Sequence, residues 1–230
     1  MADSFLILKL GITRIFLISI GKDYCLVDTS YPSEYRKFVS ALKKHKISPA
    51  QIKYIFLTHH HTDHTGFLNE IMNESGAKLI AHKDAVPWLK LGINNPAMKP
   101  TNKVVSFFMQ LNNLGLPPKK NLPFNVTTND ILITNDNFEL FRNIGIPAKI
   151  VCLPGHTSDS ISIIFDDGNS LIGDAAMNTL GILGIHNRPL VAENSSLIHK
   201  SWEKIKDHGG ITLHVSHGKS FNINKLKFKY

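Results

Sequence analysis

The chain has 230 residues and a formal net charge of +8, from 26 Lys and Arg against 18 Asp and Glu, with 43% apolar and 19% charged residues. That length buries a sizeable core in an ordinary globular protein, and two cysteines exclude a disulfide framework. The positive charge weakly favours anionic partners, but many lysines fall on predicted exposed helix faces (Lys37, Lys43, Lys44, Lys46) or near the end of the chain (Lys225, Lys227, Lys229), so a nucleic-acid partner is not expected.

Met1-Ala2-Asp3-Ser4 lacks a basic leader, and the apolar stretch 5–20 is broken by Lys9, Gly11 and Arg14. Neither a signal peptide nor a membrane span is therefore expected, and a cytoplasmic location is. Residues 5–10, 15–20 and 24–27 are β-rich runs separated by Gly11-Ile12-Thr13 and Gly21-Lys22-Asp23, which predicts an antiparallel meander. Asp28 ends it, either as a plain turn residue or as a carboxylate that steers a ligand histidine. Residues 33–46 predict an amphipathic helix, with Tyr35, Phe38, Val39 and Leu42 at i, i+3, i+4 and i+7. A strand over 53–57, a helix over 66–75 with Gly76 as its C-cap, and a strand over 78–81 follow. His82, at that strand's end, reads as structural. Residues 83–91 and 101–114 predict two helices inside a segment, around 83–124, that departs from the alternation on either side. It either walls a substrate pocket or is a plain helical insert. Residues 131–134, 138–144 and 148–153 predict strands, as do 160–165 and 170–172 around the turn Asp166-Asp167-Gly168-Asn169. A helix over 195–207, with Ile198, Trp202 and Ile205 on one face, and a strand over 211–215 complete the chain. Cys25 and Cys152 lie inside apolar strand runs and are expected to be buried, reduced thiols.

The chemistry is concentrated at Thr58-His59-His60-His61-Thr62-Asp63-His64, a His-x-His-x-Asp-His run at the end of a predicted strand. An irregular turn aims neighbouring side chains in different directions, and imidazole with carboxylate suits zinc and similar first-row metals. Four such groups are too many for one open catalytic ion, and they suffice to begin two adjacent sites. Gly155-His156-Thr157, Gly173-Asp174-Ala175 and Ser216-His217-Gly218 are three further turns at strand ends. In a layered α/β domain, equivalent strand ends converge on one rim.

This ordered set, with Leu26-Val27-Asp28-Thr29 ahead of it, resembles the metallo-β-lactamase superfamily over essentially the whole chain. The resemblance implies one α/β domain over 1–230, a four-layer αββα sandwich of two mixed sheets flanked by helices. It implies His59, His61 and His156 on a first metal, Asp63, His64 and His217 on a second, and Asp174 as a bridge. Zinc is the implied metal, two ions per chain, and iron or manganese accept the same donors. His60 occupies a variable position of the motif, as a solvent-side or supporting bystander. The implied function is dinuclear hydrolysis of a small-molecule ester, lactone or thioester, a metal-bridging hydroxide attacking the carbonyl with Asp63 orienting it.

Substrate narrows by departures from better-defined groups. Class B1 β-lactamases use a cysteine ligand, a place neither Cys25 nor Cys152 takes. Glyoxalase II continues into a helical domain, whereas this chain ends soon after His217. Acyl-homoserine lactonases place a tyrosine three residues after the bridging aspartate, where this chain has Met177. The loop 178–189 is placed to overhang the expected site, so His186 and Arg188 are candidate substrate contacts or an acid for the leaving group, against a plain surface loop. Two alternatives stand beside hydrolysis of acyl substrates. One is a mononuclear iron oxidoreductase of the persulfide dioxygenase type, whose Arg-rich stretch is replaced here by Asn178-Thr179-Leu180-Gly181. The other is a phosphodiesterase or nuclease, supported only by the charge.

Overall fold

The computed structural model describes residues 5–112, 120–178 and 187–227. His186 and the expected end of the insert's second helix lie outside the described residues. The chain opens as β1 (Phe5–Leu10), β2 (Thr13–Ile20) and β3 (Asp23–Val27), the expected meander. Helix α1 (Tyr35–Lys44) crosses over to β4 (Ile52–Phe56), and α2 (Leu68–Ser75) to β5 (Lys78–His82). The insert follows with α3 (Val86–Leu91), β6 (Lys99–Pro100) and α4 (Lys103–Asn112), and the chain returns in β7 (Ile131–Ile133). These strands form a six-stranded mixed sheet in the order β1-β2-β3-β4-β5-β7.

The second half contributes α5 (Leu140–Asn143), β8 (Ala148–Cys152), β9 (Ile161–Phe165), β10 (Asn169–Leu171), β11 (Val191–Ala192), α6 (Ser195–Asp207), β12 (Thr212–His214) and β13 (Phe221–Asn222). Five of its strands make the second sheet, β13-β12-β10-β9-β8, and β11 pairs with β6 of the insert.

Central strands here are apolar on both faces because both faces are covered. Along β2, Ile15 and Leu17 pack toward α1 and α2, while Phe16 and Ile18 pack toward the second sheet. In β9, Ile161, Ile163 and Phe165 face the first sheet and Ile164 faces α6, whose Ile198, Trp202 and Ile205 meet it. Three apolar layers therefore lie helix on sheet, sheet on sheet, and sheet on helix, which is the αββα sandwich. Among the described residues no helix is long and apolar enough to cross a membrane.

One predicted strand is wrong. Residues 138–144 hold the short helix α5 instead, because the Asn137 side chain accepts the backbone N–H groups of Glu139 and Leu140 and caps a helical turn. Phe141 then points into the core while Phe138 stays exposed. The pairs β6–β11 and β12–β13 were not foreseen; both strands of the first, and β13, are two residues long.

Both cysteines are free, Cys25 between the sheets and Cys152 at their edge. Burial pushes the Cys25 thiol up to about 12, and burial with the nearby Asp136 pushes Cys152 up to about 11. Neither is a thiolate at pH 8. Native protein at that pH should release no rapid colour from an aromatic disulfide reagent and should titrate two thiols after denaturation; a fast stoichiometric reaction in the native state would contradict this packing.

Candidate metal centre

The His-x-His-x-Asp-His run leaves β4 at Phe56 and is fixed from every side. Leu57 N–H continues the ladder to Ile80 O at 2.9 Å, and Thr58 O accepts from Ile161 N–H of the second sheet at 2.8 Å. The turn closes as His64 N–H bonds His61 O at 2.9 Å. The insert holds its outer side: Asn94 Oδ1 accepts from Thr62 N–H at 2.8 Å, and Asn121 Nδ2 donates to Thr62 O at 2.7 Å. The insert is thus bonded directly to the motif.

His156 comes from the loop after β8, Asp174 from the turn after β10 and His217 from the turn after β12. Gly173 has φ +53°, and a Cβ there would lie 2.5 Å from Thr58 Oγ1, so only glycine lets this turn approach the motif. The His217 turn is clamped by the β1–β2 hairpin. Arg14 N–H bonds Ser216 O at 2.9 Å, and the Arg14 guanidinium donates to Gly218 O at 2.9 Å.

All seven expected residues meet. Three groups could each hold a metal ion: His59, His61 and His156; His59, His64 and Asp174; and Asp63, His64 and His217. Asp174 stands between them. Its Oδ2 lies 3.7 Å from His156 Nε2 and 3.5 Å from His217 Nε2, and its Oδ1 lies 3.6 Å from His64 Nε2. His61 Nδ1 and His156 Nε2 are 3.1 Å apart. Asp63 Oδ2 is 3.2 Å from His217 Nε2.

The ring tautomers follow from the oxygens that hold them. Val191 O, Asp28 Oδ2 and Ile12 O can only accept, so His156, His64 and His217 each donate Nδ1–H, at 2.8, 2.9 and 3.3 Å. Thr58 Oγ1 gives its own proton to Asp28 Oδ2 at 2.8 Å and so accepts from His59 Nδ1–H at 3.0 Å. Four Nε2 atoms therefore face the cluster. Burial opposes charge on His64 and His217, but Asp174 outweighs it and raises both, so their Nε2 atoms hold protons that a metal would displace. Burial holds His59, His61 and His156 below the ordinary histidine range, and for the first two the neighbouring imidazoles push further. These three are neutral, as metal ligands must be. Burial opposes the charges of Asp63 and Asp174, but His64 and His217 outweigh it and hold both carboxyls low.

A metal fits this donor set. Buried Nε2 atoms of His59, His61 and His64, and Oδ1 of Asp174, have no hydrogen-bond partner among the described residues. Each such atom costs about 1–3 kcal/mol when left unsatisfied. Four in one cluster, all of them donors to a metal once His64 gives up its proton, are what a cation would satisfy.

The sequence left two readings open for Asp28 and for His60 and passed over Tyr31. Asp28 is the steering carboxylate of the two readings offered. It is fully buried, has φ +61°, and accepts from Thr58 N–H at 2.7 Å besides Thr58 Oγ1 and His64. His60 is not on the solvent side. It is buried with Nδ1–H on Asp159 at 2.8 Å, Nε2 accepting from Asn95 N–H at 3.1 Å, and its ring stacked on Trp88 at 5.5 Å. Both its nitrogens are engaged, so it has no lone pair for a metal. Tyr31, which the sequence reading passed over, brings its hydroxyl to 3.5 Å from Asp63 Oδ2, and burial with Asp63 raises its phenol to about 12. The signal was a bulky amphipathic residue before proline, just past a strand-end aspartate. Arg188 bonds His199 Nε2 at 2.8 Å.

A family model for the metallo-beta-lactamase superfamily matches residues 8–178. The chain is 27% identical over 208 residues to the Beta-lactamase-like protein 2 homolog of Caenorhabditis elegans, covering 90% of this chain and 56% of that protein. It is 26% identical over 178 residues to the "Probable metallo-hydrolase YflN" of Bacillus subtilis, covering 74% of this chain and 63% of that protein. The chain thus spans less than two thirds of the length of either relative. Its fold is similar to that of a metallo-beta-lactamase family protein of Thermus thermophilus, with TM-score 0.69 and 16% identity over 97% of this chain and 76% of the other. It is similar also to the Rm3 metallo-beta-lactamase, with TM-score 0.63 and 18% identity over 93% and 75%.

The role of Asp28 is open to a clean test. Asp28→Asn keeps the size and the tolerance of positive φ but removes the charge. Zinc affinity should weaken by about 10–100-fold, as for other residues that orient ligands, with the variant still folded by circular dichroism. Unchanged zinc affinity would reduce Asp28 to a turn residue.

Proposed function

The chain belongs to the metallo-beta-lactamase superfamily, and from that membership we propose that it is a metal-dependent hydrolase of small acyl substrates: esters, lactones or thioesters. His59, His61 and His156 would hold one ion, Asp63, His64 and His217 a second, and Asp174 would touch both. The observation that carries this reading is the convergence of these lone pairs, several of them buried without any other partner. Imidazole and carboxylate donors with no thiolate suit zinc.

Bound there, two ions supply a water acidified to the neutral range and Lewis acidity toward the substrate oxygen. The protein's own groups supply the rest. Asp63, at the more exposed side of the cluster, accepts a hydrogen bond from the attacking water and orients it. Asp28 and Thr58 keep His59 and His64 aimed through the cycle, since their bonds are to backbone-anchored groups rather than to solvent. Neither Cys25 nor Cys152 enters the cluster, so thiolate ligation plays no part.

Purified protein should carry two zinc ions per chain and hydrolyse at least one member of an ester, lactone and thioester panel. His61→Ala and Asp174→Ala should each lower metal content and reduce turnover to background. Full activity in either variant would overturn the ligand assignment; one iron per chain with oxygen-dependent thiol chemistry would replace hydrolysis altogether. Because an ion that binds only the folded state stabilises it, dipicolinate should also lower Tm and added zinc should restore it.

A further inference from the structure

Residues 28–32 are held far more firmly than a connecting loop requires. Asp28 turns the chain with φ +61° and is anchored on Thr58. Thr29 donates both its backbone N–H and its hydroxyl to His64 O, at 2.8 and 3.0 Å. Ser30 Oγ bonds Thr13 Oγ1. Gly66 packs against the segment so closely that a Cβ there would lie 2.2 Å from Ser30 O and 2.6 Å from Pro32 Cδ. Pro32 restricts the residue before it to extended backbone, and Tyr31 sits at φ −58°, ψ 151°. Thr29 and Ser30 are buried, whereas Tyr31 is half-buried. Each neighbour of Tyr31 thus serves the fold, and the phenol is what the segment presents.

It is presented to the accessible side of the metal cluster. The His64 and His156 side chains are 1% exposed and Asp174 3%, but Asp63 is 19% and His217 11% exposed. Anything that reaches the cluster comes from the side of Asp63 and His217. The Tyr31 hydroxyl stands there, 3.5 Å from the same Asp63 oxygen that faces His217. Among the described residues, the ion pairs of Asp63 and Asp174 are all with histidines. No lysine or arginine among the described residues pairs with the cluster's carboxylates, and an ordinary phenol is protonated at neutral pH.

We propose that Tyr31 is a catalytic residue whose hydroxyl, turning its single proton from Asp63 Oδ2 to the substrate, donates a hydrogen bond to the carbonyl oxygen of an uncharged acyl substrate, an assignment that rests on the hydrolase reading above. As water adds to the carbonyl carbon, the C=O π pair moves onto oxygen, and the phenol strengthens its bond to that oxygen while keeping its proton. Collapse returns the pair to the carbonyl and breaks the bond to the leaving oxygen or sulfur, which takes up the proton lost by the attacking water and departs as alcohol or thiol. Tyr31 is left unchanged. A donor that gains strength only as charge develops accelerates the step rather than merely tightening binding. A phosphodiester is already anionic in its ground state, so the same neutral donor would discriminate less between ground and transition states. The geometry therefore selects acyl over phosphoryl transfer.

The test compares zinc-loaded wild type with Tyr31→Phe on phenyl acetate, δ-valerolactone, S-phenyl thioacetate and bis(p-nitrophenyl) phosphate. Zinc content, Tm and the calorimetric Kd of a trifluoromethyl ketone, whose hydrate mimics the tetrahedral state, are measured alongside. On the acyl substrates kcat/KM should fall about 100-fold, mostly in kcat, the size of one lost oxyanion donor. The ketone should bind more weakly by a similar factor, with zinc content and Tm unchanged. Activity within about twofold of an active wild type would overturn the role of Tyr31 alone. So would loss of zinc from the variant, which would make Tyr31 a support for Asp63, or a phosphodiester as the preferred substrate. A zinc-loaded wild type that hydrolyses none of the four would overturn the hydrolase reading, and this assignment with it.

Discussion

The Asp28 carboxylate is the constraint on which the centre depends. It is fully buried, where an isolated charge would be prohibitive, and three donors satisfy it: Thr58 N–H, Thr58 Oγ1 and His64 Nδ1–H. Its left-handed backbone costs on the order of 1 kcal/mol, least for Asp and Asn among residues with a Cβ. In return it joins the end of β3 to the end of β4 and aims two imidazoles. His64 is held directly, and His59 through the Thr58 hydroxyl. One of these belongs to each of the two outer donor groups. A single side chain therefore sets an angle in both halves of the cluster, and Gly173, pressed on Thr58, brings the bridging Asp174 to the same point.

The remaining donors arrive only if the two sheets are packed. The motif and the β1–β2 hairpin belong to the first sheet; His156, Asp174 and His217 follow strands of the second. The seam is stitched by Ile161 N–H to Thr58 O, Arg14 N–H to Ser216 O and His217 Nδ1–H to Ile12 O. These bonds lie at the rim of the apolar layer formed by Phe16, Ile18, Val27, Phe56, Ile150, Ile161 and Ile163. Each of the three donor groups takes members from both sheets, so burial between the sheets and assembly of the centre are one event. The insert adds a second restraint from outside, through Trp88 on His60 and through Asn94, Asn95 and Asn121.

Much of this was legible in the residues because its signals are local. Short β-rich apolar runs such as 15–20 and the i, i+3, i+4, i+7 spacing of Tyr35, Phe38, Val39 and Leu42 fix elements without tertiary information, and six consecutive positions place four ligand-type side chains at one strand end. What was misread, left open or passed over needed partners. The run Phe138 to Ile144 has apolar residues that fit either period, and the Asn137 cap decides for helix. His60 sits among ligands by sequence, yet its partners, Asp159, Asn95 and Trp88, come from two distant segments. Tyr31 has no periodic or motif signal; its place beside Asp63 follows from Pro32, Gly66 and the turn at Asp28, which only the packed structure brings together.

The two outer donor groups are not equivalent, and the difference has chemical content. His59, His61 and His156 are three buried imidazoles kept neutral by desolvation. A divalent ion among them would keep its full charge, apart from the share of Asp174. Asp63 subtracts a unit from any ion placed with His64 and His217. One charge at 4 Å is worth about 4 kcal/mol at an effective dielectric near 20, so this asymmetry is large on the scale of a catalytic barrier. The stronger Lewis acid would lie in the closed half. The half that carries Asp63, with Tyr31 beside it, is also the more exposed one. Asp174, reaching His156 and His217 with the same oxygen, couples the two. With ions bound, polarising power would lie where solvent cannot dilute it, and Asp63 and Tyr31 would lie on the more exposed side.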